Sequence, residues 1–301
     1  MKVTRLPDVE RDARSGAGRK VAVGTFDGVH LGHRQVIAGA DTVLTFEPHP
    51  VSVVAPQHTP KLLTTLERKA ELVASLGVEE MVVIPFDAAF ASRTAGEFVE
   101  EVLVGALDAR QVSIGENFRF GNRAKGDPAL LAADGRFETV VQPLLEVDGE
   151  IVSSSHIRGL LGAGEVGEAN RLLGSTFQLA GVVAHGDERG RTLGFPTANL
   201  VPAEELACPG HGVYACIAEE AGGVEHAAAV SIGVRPTFQT GRGELIEAFL
   251  LDFEGDLYDT TLTLRFLERL RGERRFESAE ALIEQMHADV AETRGIAAAA
   301  G

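Results

Sequence analysis

The chain has 301 residues, room for two ordinary domains, with 45% hydrophobic residues and a formal net charge of −16. That composition excludes a disordered chain, and the negative charge argues against a surface that coats DNA or RNA, which needs clustered Lys and Arg. Cys208 and Cys216, the two cysteines, sit in no CxxC or zinc-type cluster, so neither a disulfide framework nor a zinc site is expected.

The opening "MKVTRLPDVERDARSG" is polar and lacks the apolar core of a secretory leader, and no apolar run approaches membrane-spanning length. A cytoplasmic protein with no membrane partner is expected. Up to about Gly174 short apolar runs alternate with helical patterns. "KVAVG", "DTVLTF", "EEMVVIPF" and "QVSIG" read as buried parallel strands. Between them "TTLERKAELVASLG" and "TAGEFVEEVLVGAL" carry helical spacing, and "SSSHIRGLLGAGEVGEANRLLG" reads as two short helices split by glycines. The alternation implies βαβ units and a parallel sheet covered on both faces.

Four stretches of this half carry chemistry. In "VAVGTFDGVHLGHRQVI" a strand ends at Gly24, Gly28 and Gly32 allow close approach, and a helix opens near Leu31. Ligands of parallel sheets sit at the carboxyl ends of strands, so His30 and His33 are placed to stabilise charge developing on a phosphate. Neither GxxxxGK[ST] nor GxGxxG occurs, so neither a P-loop nor a dinucleotide fingerprint explains the site. A helix opening at Leu31 must close near Gly39, which makes the crossover to "DTVLTF" short. In "SSSHIR", Ser153, Ser154 and Ser155 precede Arg158 by about one turn. They are either a phosphate clamp or an ordinary serine cap beside a solvated arginine. "GENFRFG" offers Asn117 to a nucleotide and Phe118 or Phe120 either to a ring or to the core. "TFEPHP" places Glu47 and His49 at a strand end, where they either meet substrate or merely precede prolines that stop the strand.

After Gly174 the rhythm changes. "FQLAGVVAHG", "GVYACIAEE", "EHAAAVSIG", "LIEAFLLDF" and "TLTLRFLERL" read as close-spaced strands, and "SAEALIEQMHADVAETRG" as a closing amphipathic helix capped by Ser278. A barrel or sandwich with a C-terminal helix follows. In "HGDERGRTLGFPTANL", Gly186, Gly190 and Gly194 free backbone amides for phosphates, unless the loop is only a connector. Thr197 and Asn199 add neutral oxygens of the kind Mg²⁺ prefers. Glu247 alternates with Phe249 and Leu251, so a carboxylate shares an apolar face. It is either a general base or a buried acid in an ion pair. Asp252 and Asp256 read as turn and surface residues.

Taken in order, "GTFDGVHLGH", "TFEPHP", "GENFRFG", "SSSHIR", "GDERGRTLGFPTANL", "GVYA", "SIGVRPTF" and "IEAFLLDFEGDLYD" make the chain resemble the prokaryotic bifunctional riboflavin kinase / FMN adenylyltransferases, the FAD synthetases. The resemblance covers nearly the whole chain. It implies an α/β + β architecture. Residues 1–174 would form a doubly wound, Rossmann-like HxGH nucleotidyltransferase domain, and residues 175–301 a six-stranded flavokinase barrel with a C-terminal helix. The first would move AMP from ATP to FMN with release of pyrophosphate. His30 and His33 would stabilise the α-phosphate transition state, with Gly24, Phe26, Gly32, Asn117, Ser154, Ser155 and Arg158 binding nucleotide. The second would phosphorylate riboflavin with ATP. Gly186, Gly190 and Gly194 would hold phosphates, Thr197 and Asn199 Mg²⁺ and ATP, and Glu247 would take the ribityl 5′-hydroxyl proton. Riboflavin, FMN and ATP are then the partners, FAD the product, and a monomer or weak homo-oligomer the working form. The short crossover after His33 motivates a second reading, a riboflavin kinase whose first domain only binds nucleotide or flavin.

Overall fold

The computed structural model describes residues 1–9, 18–185, 195–234 and 244–300. The chain divides into two compact units, Met1–Ser154 and Ser155–Gly301.

The first unit is a six-stranded sheet. Its strands are β1 (Lys2–Arg5), β2 (Arg19–Val23), β3 (Thr42–Glu47), β4 (Glu80–Pro85), β5 (Ala109–Gly115) and β6 (Glu138–Gln142), in spatial order β1-β4-β3-β2-β5-β6. Every neighbouring pair is parallel. The expected strands are β2 to β5; β1 and β6, the two edges, carry charged residues on short stretches that gave no apolar run. Alternation along each central strand feeds two cores. Val21, Val23, Leu44 and Ile84 face Phe98, Val102 and Leu103 on one side, while Ala22, Val43 and Met81 face Ile37, Val73 and Val78 on the other. That is the doubly covered sheet the alternating pattern implied.

The crossover after β2 is short, as expected: its helix is Leu31–Ile37, and Gly39 at φ +77 turns the chain back toward β3. Two turns suffice, because Val36 and Ile37 bury against the sheet. The helix read in "TAGEFVEEVLVGAL" starts with a Thr94–Glu97 capping box and then winds more loosely, with π-type bonds over Phe98–Ala106 such as Leu107 N–H to Val102 O at 3.0 Å.

The second unit begins with the helices Ser154–Ala163 and Val166–Leu173, the pair expected from the glycine spacing. Gly174, left-handed at φ 66, ends the second. Asn170 then donates to Phe266 O at 2.8 Å and accepts from Phe177 N–H at 2.7 Å, tying this helix to the barrel. The barrel strands are β9 (Gln178–Ala184), β10 (Ala198–Pro202), β11 (Gly212–Glu220), β12 (Glu225–Val234), β13 (Glu244–Leu250) and β14 (Thr261–Arg271), after a small β7–β8 hairpin (Glu146–Val147, Glu150–Ile151) in the first unit. They close antiparallel in the order β10-β13-β12-β11-β14-β9. Of these only β10 was unread, since "TANLVP" is short and ends in proline. The last helix, Ala279–Ala300, is capped by Ser278 Oγ accepting from Ala281 N–H at 3.2 Å, and it packs on β11, β12 and β14. Arg271 fastens it, donating to Asp289 at 2.7 Å, while Gln285 donates to the same carboxylate at 2.8 Å.

At the amino ends of the first sheet, opposite the ligand edge, Glu80 is buried. It accepts from Thr4 Oγ1 at 3.0 Å and pairs with the buried Arg19 at 3.4 Å, and Arg19 also donates to Leu107 O at 3.0 Å. Removing one partner of a buried pair strands the other charge. Glu80→Ala should therefore destabilise the first unit by about 3–5 kcal/mol. Urea unfolding followed by circular dichroism should show its transition at lower denaturant, and an unmoved transition would refute the role given to this pair.

Candidate functional site

The strand order reverses beside β2: the chain steps from β2 to β3 and β4 on one side, then returns to place β5 on the other. Such a switch point opens a crevice outside the carboxyl ends of the two strands. The loop after β2 carries His30 and His33, and the loop after β5 carries "GENFRFG".

The first loop is held from several directions. Gly24 N–H reaches Leu44 O at 3.1 Å, and Thr45 Oγ1 donates to Thr25 O at 3.0 Å. Asp27 is buried, and its carboxylate accepts from Leu63 N–H at 2.8 Å and Thr64 N–H at 3.3 Å. Gly28 N–H donates to Thr64 Oγ1 at 3.2 Å, and Ser154 Oγ donates to Asp27 O at 2.9 Å. Phe26, at φ 49, lies wholly in the core, its ring edge-on to His33 at 5.4 Å. It therefore meets a nucleotide, if at all, through its backbone. A Cβ on Gly24 would sit 3.0 Å from that ring, so this glycine leaves room for Phe26.

His30 caps the helix: its Nδ1 accepts from His33 N–H at 3.2 Å, which puts the proton of a neutral His30 on Nε2. Among the described residues the Leu31 and Gly32 amides have no protein partner. The two imidazoles stack, centroids 3.5 Å apart and planes 15° from parallel. His33 is half-buried, but its Nδ1 is fully buried with no hydrogen-bond partner among the described residues. Burial, then the neighbouring His30 and Lys69, push its pKa well below the ordinary histidine value. His33 thus waits neutral, and an arriving phosphate is the charge that would raise its proton affinity.

In the β5 loop Asn117 is exposed, Phe118 is half-buried and Phe120 is buried, with the two rings stacked at 5.5 Å. Phe120 is the core plug, held by paired bonds with Gly126 at 3.1 and 2.8 Å. The "TFEPHP" strand ends at Glu47 in a cis Glu47–Pro48 bond, and His49 caps the Pro50–Val54 helix through Val51 N–H at 3.2 Å. The expected "SSSHIR" segment opens the Ser154–Ala163 helix. Ser154 holds the first unit's motif loop, while Ser155 Oγ accepts from Arg158 at 3.3 Å in the second unit.

In the barrel, Asn199 lies opposite Glu247 across β10 and β13, and Ser231 opposite Glu247 across β12 and β13, so the three share a face. Ile246, Ala248 and Leu250 point to the buried side, while Glu247 is half-buried beside Phe249. Leu251, expected on the Glu247 face, falls past the end of β13. Thr197 lines a cavity of about 510 Å³ with Ala198, Ala248, Leu250 and the 253–258 segment. Asp252 pairs with Arg294 at 2.6 Å and Asp256 accepts from Tyr258 N–H at 2.9 Å, the surface and turn roles expected. Gly186, Gly190 and Gly194 lie outside the described residues.

Sequence reading missed two buried charges beside the histidines. Asp27 passed as part of a motif, and Lys69 as one more polar residue in a helix. Its spacing from Val73, four residues on, was the available signal.

A parallel α/β unit with paired histidines at its switch point, joined to a closed antiparallel barrel, is the class that fold and site define. Comparison with known proteins is specific. A family model described as FAD synthetase matches residues 13–156, and one described as riboflavin kinase matches residues 173–297. The bifunctional riboflavin kinase/FMN adenylyltransferase of Listeria monocytogenes is 38% identical over 299 residues, 95% of each chain. That of Bacillus subtilis is 39% identical over 89% of each. A crystal structure described as a macrolide-efflux protein from Streptococcus pneumoniae is 30% identical, with a TM-score of 0.86 over 98% of this chain and 99% of that one. No helix among the described residues is long and apolar enough to cross a membrane. The chain belongs to the bifunctional riboflavin kinase/FMN adenylyltransferase family. It is an enzyme carrying both transferase domains, and the reading with a single activity is not favoured.

His33 yields a pH prediction. The unfolded chain takes this proton near the ordinary value of 6.5, the folded chain only well below it. The unfolded state binds more protons in that window, so folding stability falls as pH drops below about 6.5. His33→Gln should flatten this part of the stability–pH curve, measured by urea midpoints. An identical slope in the variant would contradict the burial argument.

Proposed function

We propose that the two reactions divide between the two ends of the chain. Residues 1–174 transfer AMP from ATP to FMN, giving FAD and pyrophosphate, and residues 175–301 make that FMN by phosphorylating riboflavin with ATP. The observation that carries the first assignment is the stacked His30–His33 pair at the β2/β5 switch point.

In the first reaction an FMN phosphate oxygen attacks the α-phosphorus of ATP and the bond to pyrophosphate breaks. Such transfer needs positioning and charge stabilisation more than a covalent nucleophile. The Nε2–H of His30 and the imidazole of His33 supply donors to the α-phosphate as charge builds. Gly24 and Gly32 let the phosphates approach the backbone, and Phe26 supports His33 from the core. Asn117 holds the nucleotide, and Ser154, Ser155 and Arg158 take phosphate oxygens.

In the second reaction the ribityl 5′-hydroxyl attacks the γ-phosphorus of ATP, and the bond to the departing ADP breaks. An alcohol is a poor nucleophile, and Glu247 accepts its proton. Asn199 faces Glu247 across the β10–β13 pair, and with Thr197 it offers neutral oxygens that suit Mg²⁺, which prefers hard ligands and keeps several waters. Thr197 and Asn199 would hold the ion, which when bound neutralises the ATP phosphates. Gly186, Gly190 and Gly194 are assigned to those phosphates by their place in the sequence stretch that leads to Thr197. With ATP as donor in both steps, we assign the protein to the cytoplasm. A monomer or weak homo-oligomer is the assigned working form.

Riboflavin, ATP and Mg²⁺ should yield FMN and then FAD, resolved by chromatography. Glu247→Gln should slow FMN formation about 10²–10⁴-fold while leaving FMN-to-FAD conversion intact. Unchanged FMN formation in that variant would remove Glu247 from the mechanism.

A further inference from the structure

Thr197 stands one residue ahead of β10. The sheet pairing of that strand starts at Ala198, opposite Ala248 of β13, and continues with Asn199 opposite Glu247. Carried one step back, the same register would set Thr197 opposite Phe249, but the paired residues end at Ala198. Pro196 has no N–H to give a ladder, and the residue before a proline is driven to an extended conformation. Strand pairing therefore fixes Asn199 and leaves Thr197, which lines the cavity, to be held by something else.

A ring holds this lead-in. Phe195, two residues ahead of Thr197, is buried. Its ring meets the Phe249 ring with centroids 5.1 Å apart and planes at 64°, and it meets the His287 imidazole at the same distance and angle. Edge-to-face pairs at such distances attract beyond the area they bury. Both partners are themselves fixed. Phe249 lies on β13, two residues from Glu247 and on the same face of the strand, and it pairs with Ala229 of β12. His287 lies on the Ala279–Ala300 helix, whose buried Asp289, two residues further on, accepts from Arg271 at 2.7 Å and from Gln285 at 2.8 Å. His287 itself is exposed, so filling the core does not account for a ring at this place. The last helix is thus tied, through one buried phenylalanine, to the strand that carries Glu247.

We propose that Phe195 and His287 are positioning residues for riboflavin phosphorylation: the His287–Phe195–Phe249 ring contact holds Thr197 at the entry to β10, so that the side chains meeting ATP keep a fixed place relative to Glu247. The inference rests on assigning Thr197, Asn199 and Glu247 to that reaction. Phosphoryl transfer depends on placement above all, and small displacements of the reacting groups are costly. Neither Phe195 nor His287 touches substrate in this role; each acts through the lead-in to β10.

The test uses the full chain with His287→Ala, His287→Phe and Phe195→Leu. Riboflavin phosphorylation is followed as total FMN plus FAD at varied ATP, with Mg²⁺ in excess, and FMN-to-FAD conversion is run on the same sample. His287→Ala and Phe195→Leu should raise KM for ATP in the first reaction about tenfold and leave the second at the wild-type rate. His287→Phe keeps a flat ring against Phe195 and should bring KM back; a KM as high as that of His287→Ala would count against the ring contact. A merely structural role would lower the folded fraction, which reduces the rate and leaves KM where it was. An unchanged KM in His287→Ala therefore overturns the proposal. Should Phe195→Leu not fold, the His287→Ala and His287→Phe pair decides by itself. A second readout needs no nucleotide: His287→Ala should displace the Thr197 amide resonance in the NMR spectrum, and an unmoved resonance contradicts the brace. If wild-type protein makes no FMN from riboflavin and ATP, the assigned kinase reaction fails, and the Thr197 resonance still judges the brace.

Discussion

The buried Asp27 carboxylate, accepting two backbone N–H bonds from the Leu63–Thr64 segment, is the contact on which the first unit's site depends. Parallel strands end at one edge and their loops must be held there without further sheet bonds. Asp27 does this for the histidine loop, with Ser154 fixed to its carbonyl and Gly28 to Thr64. Once the loop is pinned, His30 has one orientation open to it, capping the helix that His33 begins to climb. The two rings then stack on one another.

The sheet separates stability from chemistry. Its amino ends carry the Arg19–Glu80 pair, buried and bonded to the edge strand through Thr4. Among the described residues, its carboxyl ends carry an unpartnered imidazole nitrogen and backbone amides left open. A buried polar atom without a partner costs free energy in the resting protein. At this edge the cost is consistent with a site whose partner is a ligand. The barrel reaches a comparable division differently. Alternation sends Ile246, Ala248 and Leu250 inward and leaves Glu247, Asn199 and Ser231 together on the opposite face.

Legibility in the sequence followed burial. Strands β2 to β5 are continuous apolar runs because both their faces are covered, and such runs are hard to mistake. The edges β1 and β6 and the short β10 are half-exposed or stopped by proline, so their patterns resemble loops. The π-wound segment Phe98–Ala106 shares its apolar residues with an ordinary helix, and side-chain spacing does not report a change of hydrogen-bond register. Glu247 stood out because a carboxylate alternating with apolar residues is unusual, and His30 and His33 because they sit where a strand becomes a helix. Lys69 and Asp27 did not, since a lysine in a helix and an aspartate before a glycine are ordinary until burial is known. Phe26 was assigned to nucleotide from its motif, whereas its side chain belongs to the core.

The central claim is that the paired histidines make residues 1–174 an adenylyltransferase in their own right. Supplying FMN, ATP and Mg²⁺ directly and measuring pyrophosphate release bypasses the kinase step altogether. The account predicts stoichiometric FAD and pyrophosphate with wild-type protein, and a loss of at least about 100-fold when His30 and His33 are both replaced by alanine. FAD formed at the wild-type rate by the double variant would contradict it.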